Sequence, residues 1–225
     1  MSEQQYDEQQ LKFMTEEFCI VVDDFDQILG QDSKKNTHLM ENINKGLLHR
    51  AFSCFLFKDK KLLLQQRAAE KITFPLMWTN TCCSHPLFNI EQEKDGIQGV
   101  KLAVQRKLFH ELGIPASEVP IEKLKFLTRI HYKAAADEKW GEHEVDYIVF
   151  IEVDDVTVNP NANEVQDIKF VTLEEVKQIV QDSNSGKLQI TPWFRLIFRD
   201  FLIPWWEKLN KGIAIEKDDR IYRLE

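Results

Sequence analysis

Residues 78–86, which read WTNTCCSHP, bring together several side chains that could do chemistry. Two adjacent thiols, a hydroxyl and an imidazole occupy four consecutive positions. Side chains alternate between faces in an extended segment, so Cys83 and His85 would share one face and Cys82 and Ser84 the other. A thiol beside an imidazole can act as a proton donor next to a metal ligand. The alternative is a strand with two buried thiols, because free cysteine is among the most buried residue types.

A Glu-His-Glu stretch at 142–144 is the second candidate. Its two carboxylates share a face in a strand and repel each other unless a cation or a proton lies between them. A solvated strand end is the alternative. With three histidines from elsewhere in the chain, the pair offers a nitrogen and oxygen set that suits Mg²⁺ or a first-row divalent metal. The five candidate ligands are His38, His49, His85, Glu142 and Glu144.

Lys34, Arg67 and Lys71 are three cations that precede the thiol stretch. Each could be a solvated surface charge. Together, in a chain of net charge −8, they could instead hold a phosphate or a diphosphate.

Residues 97–113 have the clearest helical pattern, ended by Gly113. Glu111 falls on the apolar face of this helix. A buried carboxylate needs a partner, so either a salt bridge or a bound cation is expected there. The apolar stripe consists of Ile97, Val100, Val104, Leu108 and Leu112.

The remaining patterns indicate one mixed domain of strands and helices. We expect residues 33–48 to form a loop and Thr191 to open a last, aromatic-rich helix. The domain would span 18–209, after a flexible extension at 1–17 and before a tail at 210–225. Strands are expected at 18–22, 27–32, 49–57, 61–67, 125–133, 145–153 and 165–171, and a further helix at 173–182.

The composition excludes several classes of protein. The chain lacks a block of Lys or Arg for non-specific nucleic-acid binding and an apolar run of the roughly 20 residues that span a membrane. Its four cysteines are too few and irregular for a secreted disulfide framework. We therefore expect a soluble protein of a reducing compartment, the cytoplasm, with the peroxisome as the alternative. We also expect a monomer with a small-molecule substrate. The final Arg-Leu-Glu is not a peroxisomal signal.

Eight segments together resemble the type I isopentenyl-diphosphate isomerase family of the Nudix superfamily. The resemblance covers roughly residues 20–209 and implies an α/β/α sandwich (α/β, or α+β) with a mixed central sheet, an N-terminal extension and C-terminal helices. It also implies the interconversion of isopentenyl and dimethylallyl diphosphate in isoprenoid, including sterol, biosynthesis. The segments are KKNTH, GLLHRAF, LLLQQR, WTNTCCSHP, ELGIP, IHYKA, WGEHEVDY and TPWF.

The resemblance also implies catalytic roles. Cys83 and Glu144 would exchange protons with opposite faces of the hydrocarbon, and which of them is the acid in each direction stays open. Tyr132 would hydrogen-bond Glu144, and Trp193 would stabilise a carbocation through its ring face, worth about 2 kcal/mol when desolvated.

The binding roles follow in the same way. Glu144 would double as a ligand of a metal (Mg²⁺, Mn²⁺ or Zn²⁺) together with the other four candidate ligands. Glu111 would hold a second ion, Mg²⁺, on the diphosphate. The residues implied to hold the diphosphate itself are Lys34, Arg67, Lys71 and Ser84.

The chain departs from the Nudix hydrolase pattern at residues 106–113. This segment, RKLFHELG, retains only Glu111 of the three carboxylates in the hydrolase motif. The loss argues against a metal cluster that activates water to cut a diphosphate. Two rival functions are a nucleotide-cleaving Nudix hydrolase and a non-enzymatic domain with a structural metal.

Overall fold

The longest strands form where β-branched and aromatic residues are concentrated. The computed structural model describes residues 6–225. Two of its strands are buried almost throughout, as is typical of central strands covered on both faces. The strands are β1 (Phe18–Val22), β2 (Ile28–Ser33), β3 (His49–Lys58), β4 (Lys61–Arg67), β5 (Trp78–Thr79), β6 (Cys82–Ser84), β7 (Lys125–Ala135), β8 (Gly141–Val153), β9 (Val165–Val171) and β10 (Ile221–Arg223).

The strands form one mixed sheet. Its main order is β10-β7-β8-β3-β1-β2, and β4 and β6 also pair with β3. β3 and β8 run parallel, so His49 lies opposite Glu144, whereas β7 and β8 form an antiparallel hairpin that places Tyr132 opposite Glu144. The pairing thus brings three candidate site residues from distant parts of the chain to one end of the sheet.

Helices cover both faces of the sheet. One core packs the apolar face of α4 against residues such as Phe52 and Val149. The other packs α5, α6 and α7 against residues such as Phe55 and Phe150. The predicted α/β/α sandwich is confirmed. The helices are α1 (Glu8–Glu16), α2 (Lys34–His38), α3 (Met40–Ile43), α4 (Gly96–Leu112), α5 (Leu173–Asn184), α6 (Pro192–Ile197) and α7 (Ile203–Asn210).

Helix α4 matches the prediction closely. Its stripe from Val100 to Leu112 is buried in the first core. Gly113 ends the helix with φ 64°, a left-handed conformation that glycine adopts without steric cost. A Cβ there would lie 2.5 Å from the carbonyl oxygen of Asn159, so the close contact also requires glycine.

The predicted loop at 33–48 is wrong, because α2 and α3 lie within it. Ser33 caps α2, and its Oγ accepts a hydrogen bond from the Asn36 backbone N–H. Helices of five and four residues are too short to show an apolar period, which is why the pattern did not reveal them.

The two ends of the chain add to the domain. Residues 1–5 of the predicted extension lie outside the described part, but α1 forms within the rest and buries Gln10 and Met14. In the tail, β10 pairs in parallel with β7. The predicted last helix is interrupted between α6 and α7 by a π-helical turn, Phe198–Leu202. Within residues 6–225, no helix combines the length and apolar character needed to cross a bilayer.

Candidate active site

The β7–β8 hairpin places the two carboxylates. β8 begins at Gly141, earlier than predicted, so Glu142 and Glu144 lie within the strand and on one face of it. A Cβ on Gly141 would lie 2.4 Å from Sδ of Met40 and 2.6 Å from the carbonyl oxygen of Ala134. Only glycine fits this contact, which packs α3 against the hairpin.

The three imidazoles and two carboxylates converge as proposed. One ligand atom from each of the five residues lies within 4.8 Å of all the others, and all five residues are buried. Nε2 of His38 lies 2.9 Å from Oε2 of Glu142, and Nε2 of His85 lies 3.0 Å from Oε1 of Glu144. The distant sequence positions therefore form one cluster that could hold a metal ion.

The hydrogen bonds of His38 show that the cluster fits a cation. Its Nδ1 lies 2.6 Å from the carbonyl oxygen of Lys34, which can only accept, so Nδ1 carries the hydrogen. In the neutral ring, the Nε2 lone pair then faces the carboxylate of Glu142, which is also an acceptor. A bound cation resolves this opposition, and the carbonyl partner fixes the ring as outer-shell groups do in metal sites.

Buried imidazole nitrogens give a second indication of fit. Within residues 6–225, Nδ1 and Nε2 of His49 and Nδ1 of His85 have no hydrogen-bond partner. Burial, together with the neighbouring His49 and His38, lowers the pKa of His85 well below its usual value of 6.5. A neutral ring is the form that binds a metal.

The adjacent thiols have different surroundings. Cys82 is fully buried in the core beneath α4 and lies opposite Cys54 across the β3–β6 pair. Cys83 is partly exposed and lines a cavity together with Glu144, Tyr132 and other site residues. Burial raises the pKa of the Cys83 thiol to about 12, although the Arg67 guanidinium opposes the shift. The thiol is therefore protonated at neutral pH and can donate a proton.

Glu144 is held ionised and oriented. The hydroxyl of Tyr132 donates a hydrogen bond of 2.6 Å to its Oε2. Burial opposes ionisation, but contacts with His49 and Tyr132 outweigh it and lower the pKa of Glu144. The carboxylate lines the same cavity as the thiol, so an acid and a base are available in one space.

Trp193 forms an aromatic wall of this cavity. It lies on α6, which begins with Pro192 at a position where the missing N–H costs nothing. The indole Nε1 donates to Oδ1 of Asn80 at 3.1 Å, and Phe74 packs edge-on at 5.3 Å. These contacts fix the ring. Trp193 is 3% exposed and lines the cavity, so a hydrocarbon there would contact the indole.

The predicted cations lie at the same cavity, and each already has partners. Nζ of Lys34 lies 2.6 Å from Glu17, and Nζ of Lys71 lies 2.5 Å from Glu164. The guanidinium of Arg67 donates to the carbonyl oxygens of residues 73 and 74 and lies 3.7 Å from Sγ of Cys83. In this cationic wall, formed by Lys34, Arg67 and Lys71, both lysines are therefore paired with carboxylates before any anion arrives, whereas Arg67 has only neutral partners.

Glu111 is a predicted site residue that lies near these cations but outside the cavity. It is 4% exposed, and its Oε2 accepts a hydrogen bond of 3.0 Å from Gln65. It is not part of the cavity lining, but its charge acts on Lys71 and on the Cys83 thiol. Ser84 does line the cavity. The structure thus places both residues near the cations.

Sequence reasoning missed several residues of the site. Gln10 and Met14 of α1 line the cavity, as do Ile72 and Thr73 from the segment after β4. A short α1 with a polar sequence gave no signal of burial. Asn80 could have been noticed, because it lies within the WTNTCCSHP stretch.

Comparison with known proteins identifies the family of this chain. The NUDIX domain profile matches residues 47–194. The isopentenyl-diphosphate Delta-isomerase of Dictyostelium discoideum is 54% identical over 97% of this chain and 93% of its own length. The chain belongs to the isopentenyl-diphosphate Delta-isomerase family. Isopentenyl-diphosphate Delta-isomerase 1 of Bos taurus, another relative of this isomerase family, is 50% identical over 97% of the chain and 96% of its own length.

Solved structures support the fold of this isomerase family member. The crystal structure of DR0079 from Deinococcus radiodurans covers 83% of the chain and all of its own, with a TM-score of 0.53 and 15% identity. A NUDIX hydrolase from Alicyclobacillus acidocaldarius covers 74% of the chain and 97% of its own, with a TM-score of 0.53 and 10% identity. At such identities the likeness concerns the fold alone.

Proposed function

We propose that this chain interconverts isopentenyl and dimethylallyl diphosphate in the cavity between Cys83 and Glu144. The observation that carries the proposal is that the Cys83 thiol and the Glu144 carboxylate line the same cavity. Moving the double bond requires one proton to be added and another removed. An alkene is a weak base, so the proton donor must be positioned in a space that excludes water.

Cys83 and Glu144 would divide the proton transfers. The thiol keeps its hydrogen at neutral pH because burial raises its pKa to about 12. The carboxylate is ionised and held by Tyr132, so it can accept a proton from the hydrocarbon. After one turnover the two groups have exchanged protonation states, and exchange with solvent or the reverse reaction restores them.

The side chains that line the cavity would stabilise the positive charge that develops on the hydrocarbon and protect it from water. The ring of Trp193 lines the cavity and would stabilise a carbocation there by about 2 kcal/mol when water is excluded. Met14 and Ile72 line the same space and would limit the entry of water. A carbocation without accessible water deprotonates rather than forming an alcohol.

Binding of the diphosphate would use the cationic wall. Lys34, Arg67, Lys71 and Ser84 supply donors at one side of the cavity, and Glu111 would hold Mg²⁺ on the diphosphate. The five-residue cluster would hold Mg²⁺, Mn²⁺ or Zn²⁺. A metal bound there supplies positive charge that favours the ionised form of Glu144. We also propose that the chain is a cytoplasmic monomer.

Deuterium incorporation into isopentenyl diphosphate from D₂O tests the assignment. Cys83→Ala should reduce incorporation by about 10²–10⁴-fold, the contribution typical of a positioned acid or base. Cys82→Ala is the matched control, because its thiol lies in the core and does not line the cavity. Equal incorporation by the two variants would refute the role of Cys83. Release of phosphate from nucleoside diphosphate derivatives would favour the hydrolase.

A further inference from the structure

Two histidines outside the active site lie against each other. His131 of β7 and His143 of β8 are partly buried, and their Nε2 atoms are 2.9 Å apart. His143 alternates with Glu142 and Glu144 along β8, so its side chain leaves the opposite face of the sheet. The pair is therefore separated from the five-residue cluster by the strand itself.

The hydrogen positions in this pair are constrained. Nδ1 of His143 lies 2.8 Å from the carbonyl oxygen of Leu47, which only accepts, so Nδ1 carries the hydrogen and Nε2 presents a lone pair. In a neutral pair, His131 must then donate from its own Nε2. This leaves Nδ1 of His131 as a bare acceptor, buried and without a hydrogen-bond partner among the described residues, 3.9 Å from Oδ1 of Asp24.

We propose that His131 and His143 form a second metal site, which binds Cu²⁺ or Ni²⁺ through both Nε2 atoms. The cation takes the place of the hydrogen that the two rings share. Nδ1 of His131 then carries a hydrogen and faces the Asp24 carboxylate, while Nδ1 of His143 keeps its carbonyl partner. His143 thus keeps the kind of outer-shell oxygen that orients imidazoles in metal sites, and Asp24 at 3.9 Å is the carboxylate that could take this role for His131.

The two nitrogens need little movement to bind one of these metals. Their 2.9 Å separation is that of a ring N–H···N hydrogen bond. It is also close to the spacing of two ligands at right angles, about 2.9 Å for metal–nitrogen bonds of about 2.05 Å. Tetragonal nitrogen sites are typical of Cu²⁺ and Ni²⁺, and Cu²⁺ binds most tightly in the first-row series.

Neighbouring charges limit the affinity of the site. Asp24 is 54% exposed and also pairs with Arg223 at 3.2 Å, which offsets part of its negative charge. Lys133 adds a further positive charge near His143. We therefore expect the active-site cluster, with two carboxylates, to fill before this pair.

Cu²⁺ titration of the metal-loaded enzyme, followed by electron paramagnetic resonance, tests the proposal. The wild type should bind one equivalent more than His131→Gln or His143→Gln, and the extra signal should show coupling to two nitrogens. His110→Gln is the control, because this remaining histidine packs against Phe13 away from both sites. Isomerase activity and circular dichroism of His131→Gln should match the wild type.

Asp24→Asn keeps the test decisive if a histidine variant does not fold. It changes an exposed group and should weaken the extra equivalent about tenfold, at the low end for loss of an outer-shell partner. Equal Cu²⁺ stoichiometry in the wild type and both histidine variants would overturn the proposal. So would an affinity that is unchanged in Asp24→Asn.

Discussion

Two groups of side chains at the cavity differ in how their polar atoms are paired. The metal end is the five-residue cluster of histidines and glutamates, and the cationic end consists of Lys34, Arg67 and Lys71. At the metal end, both ring nitrogens of His49 lack hydrogen-bond partners within the described residues, and Nε2 of His38 lies 2.9 Å from a carboxylate oxygen of Glu142. At the cationic end, Lys34 is paired with Glu17 and Lys71 with Glu164. The metal end thus has nitrogen and oxygen atoms that a cation would pair, whereas both lysines of the cationic end already have carboxylate partners.

The difference explains how each end can respond to a ligand. A cation at the metal end relieves unpaired acceptors, so binding there should stabilise the fold. A diphosphate at the cationic end must share or displace Glu17 and Glu164, so part of its attraction replaces contacts that already exist. We therefore expect the cationic end to contribute more to specificity than to tight binding.

The largest effect is expected for Glu144, which we propose both to bind the metal and to exchange a proton with the substrate. Glu144→Gln should lower kcat by about 10²–10⁴-fold, because an amide cannot take up the proton. Glu152→Gln is the control, since Glu152 lies on the same strand but pairs with Lys125 at the exposed end. A loss of less than tenfold in the isomerisation assay would remove Glu144 from the proton transfer.

At the cationic end, Glu164→Gln should destabilise the fold by about 3–5 kcal/mol, because it leaves the buried Lys71 without its carboxylate. Urea unfolding measures this change. Asp155→Asn removes a comparable ion pair, to Lys58, but Asp155 is exposed and no measurable loss is expected. Equal stability of the two variants would contradict the role given to Glu164.

The same variant should also change the acid sensitivity of the protein. Burial opposes ionisation of Glu164, but Lys71, Lys107 and Lys34 outweigh it and lower its pKa below the usual 4.5. Its contribution to stability is therefore complete above about pH 4.5 and is lost as the pH falls through the folded-state value. The free energy of unfolding should fall less steeply with acid in Glu164→Gln than in the wild type.

The smallest effect expected is the change in stability when the ion at the metal end is removed. An ion that binds only the folded state at 100 times its dissociation constant adds about 2.7 kcal/mol, or roughly 5–10 °C in Tm for a domain of this size. A chelator should remove this increment, as calorimetry can show. His49→Asn should abolish the chelator effect, and a variant that keeps the full shift would place the stabilising ion elsewhere.

The local parts of the site could be predicted from the sequence. Alternation along an extended segment correctly separated Cys83 from Cys82, but it put Ser84 on the face of Cys82, whereas Ser84 lines the cavity with Cys83. The apolar period correctly gave α4 and the burial of Glu111. These inferences depend only on spacing within a single element, which the sequence contains. Residue types also indicated a cation site before any geometry was known.

The long-range parts could not be predicted in this way. The convergence of His49 with Glu144 depends on the parallel pairing of β3 and β8, and no local pattern encodes which strands become neighbours. The resemblance to a known family supplied that information. The partner of Lys71 lies 93 positions away at Glu164, and one glutamate among many gives no signal of such a contact.

The placement of β10 has a consequence for synthesis of the chain. This short strand, Ile221–Arg223, covers the outer edge of β7, whose next strand inward carries both active-site carboxylates. On the ribosome, β7 emerges long before the segment that protects it. During that interval the nascent sheet exposes an unpaired edge, the kind of surface that recruits other strands and chaperones.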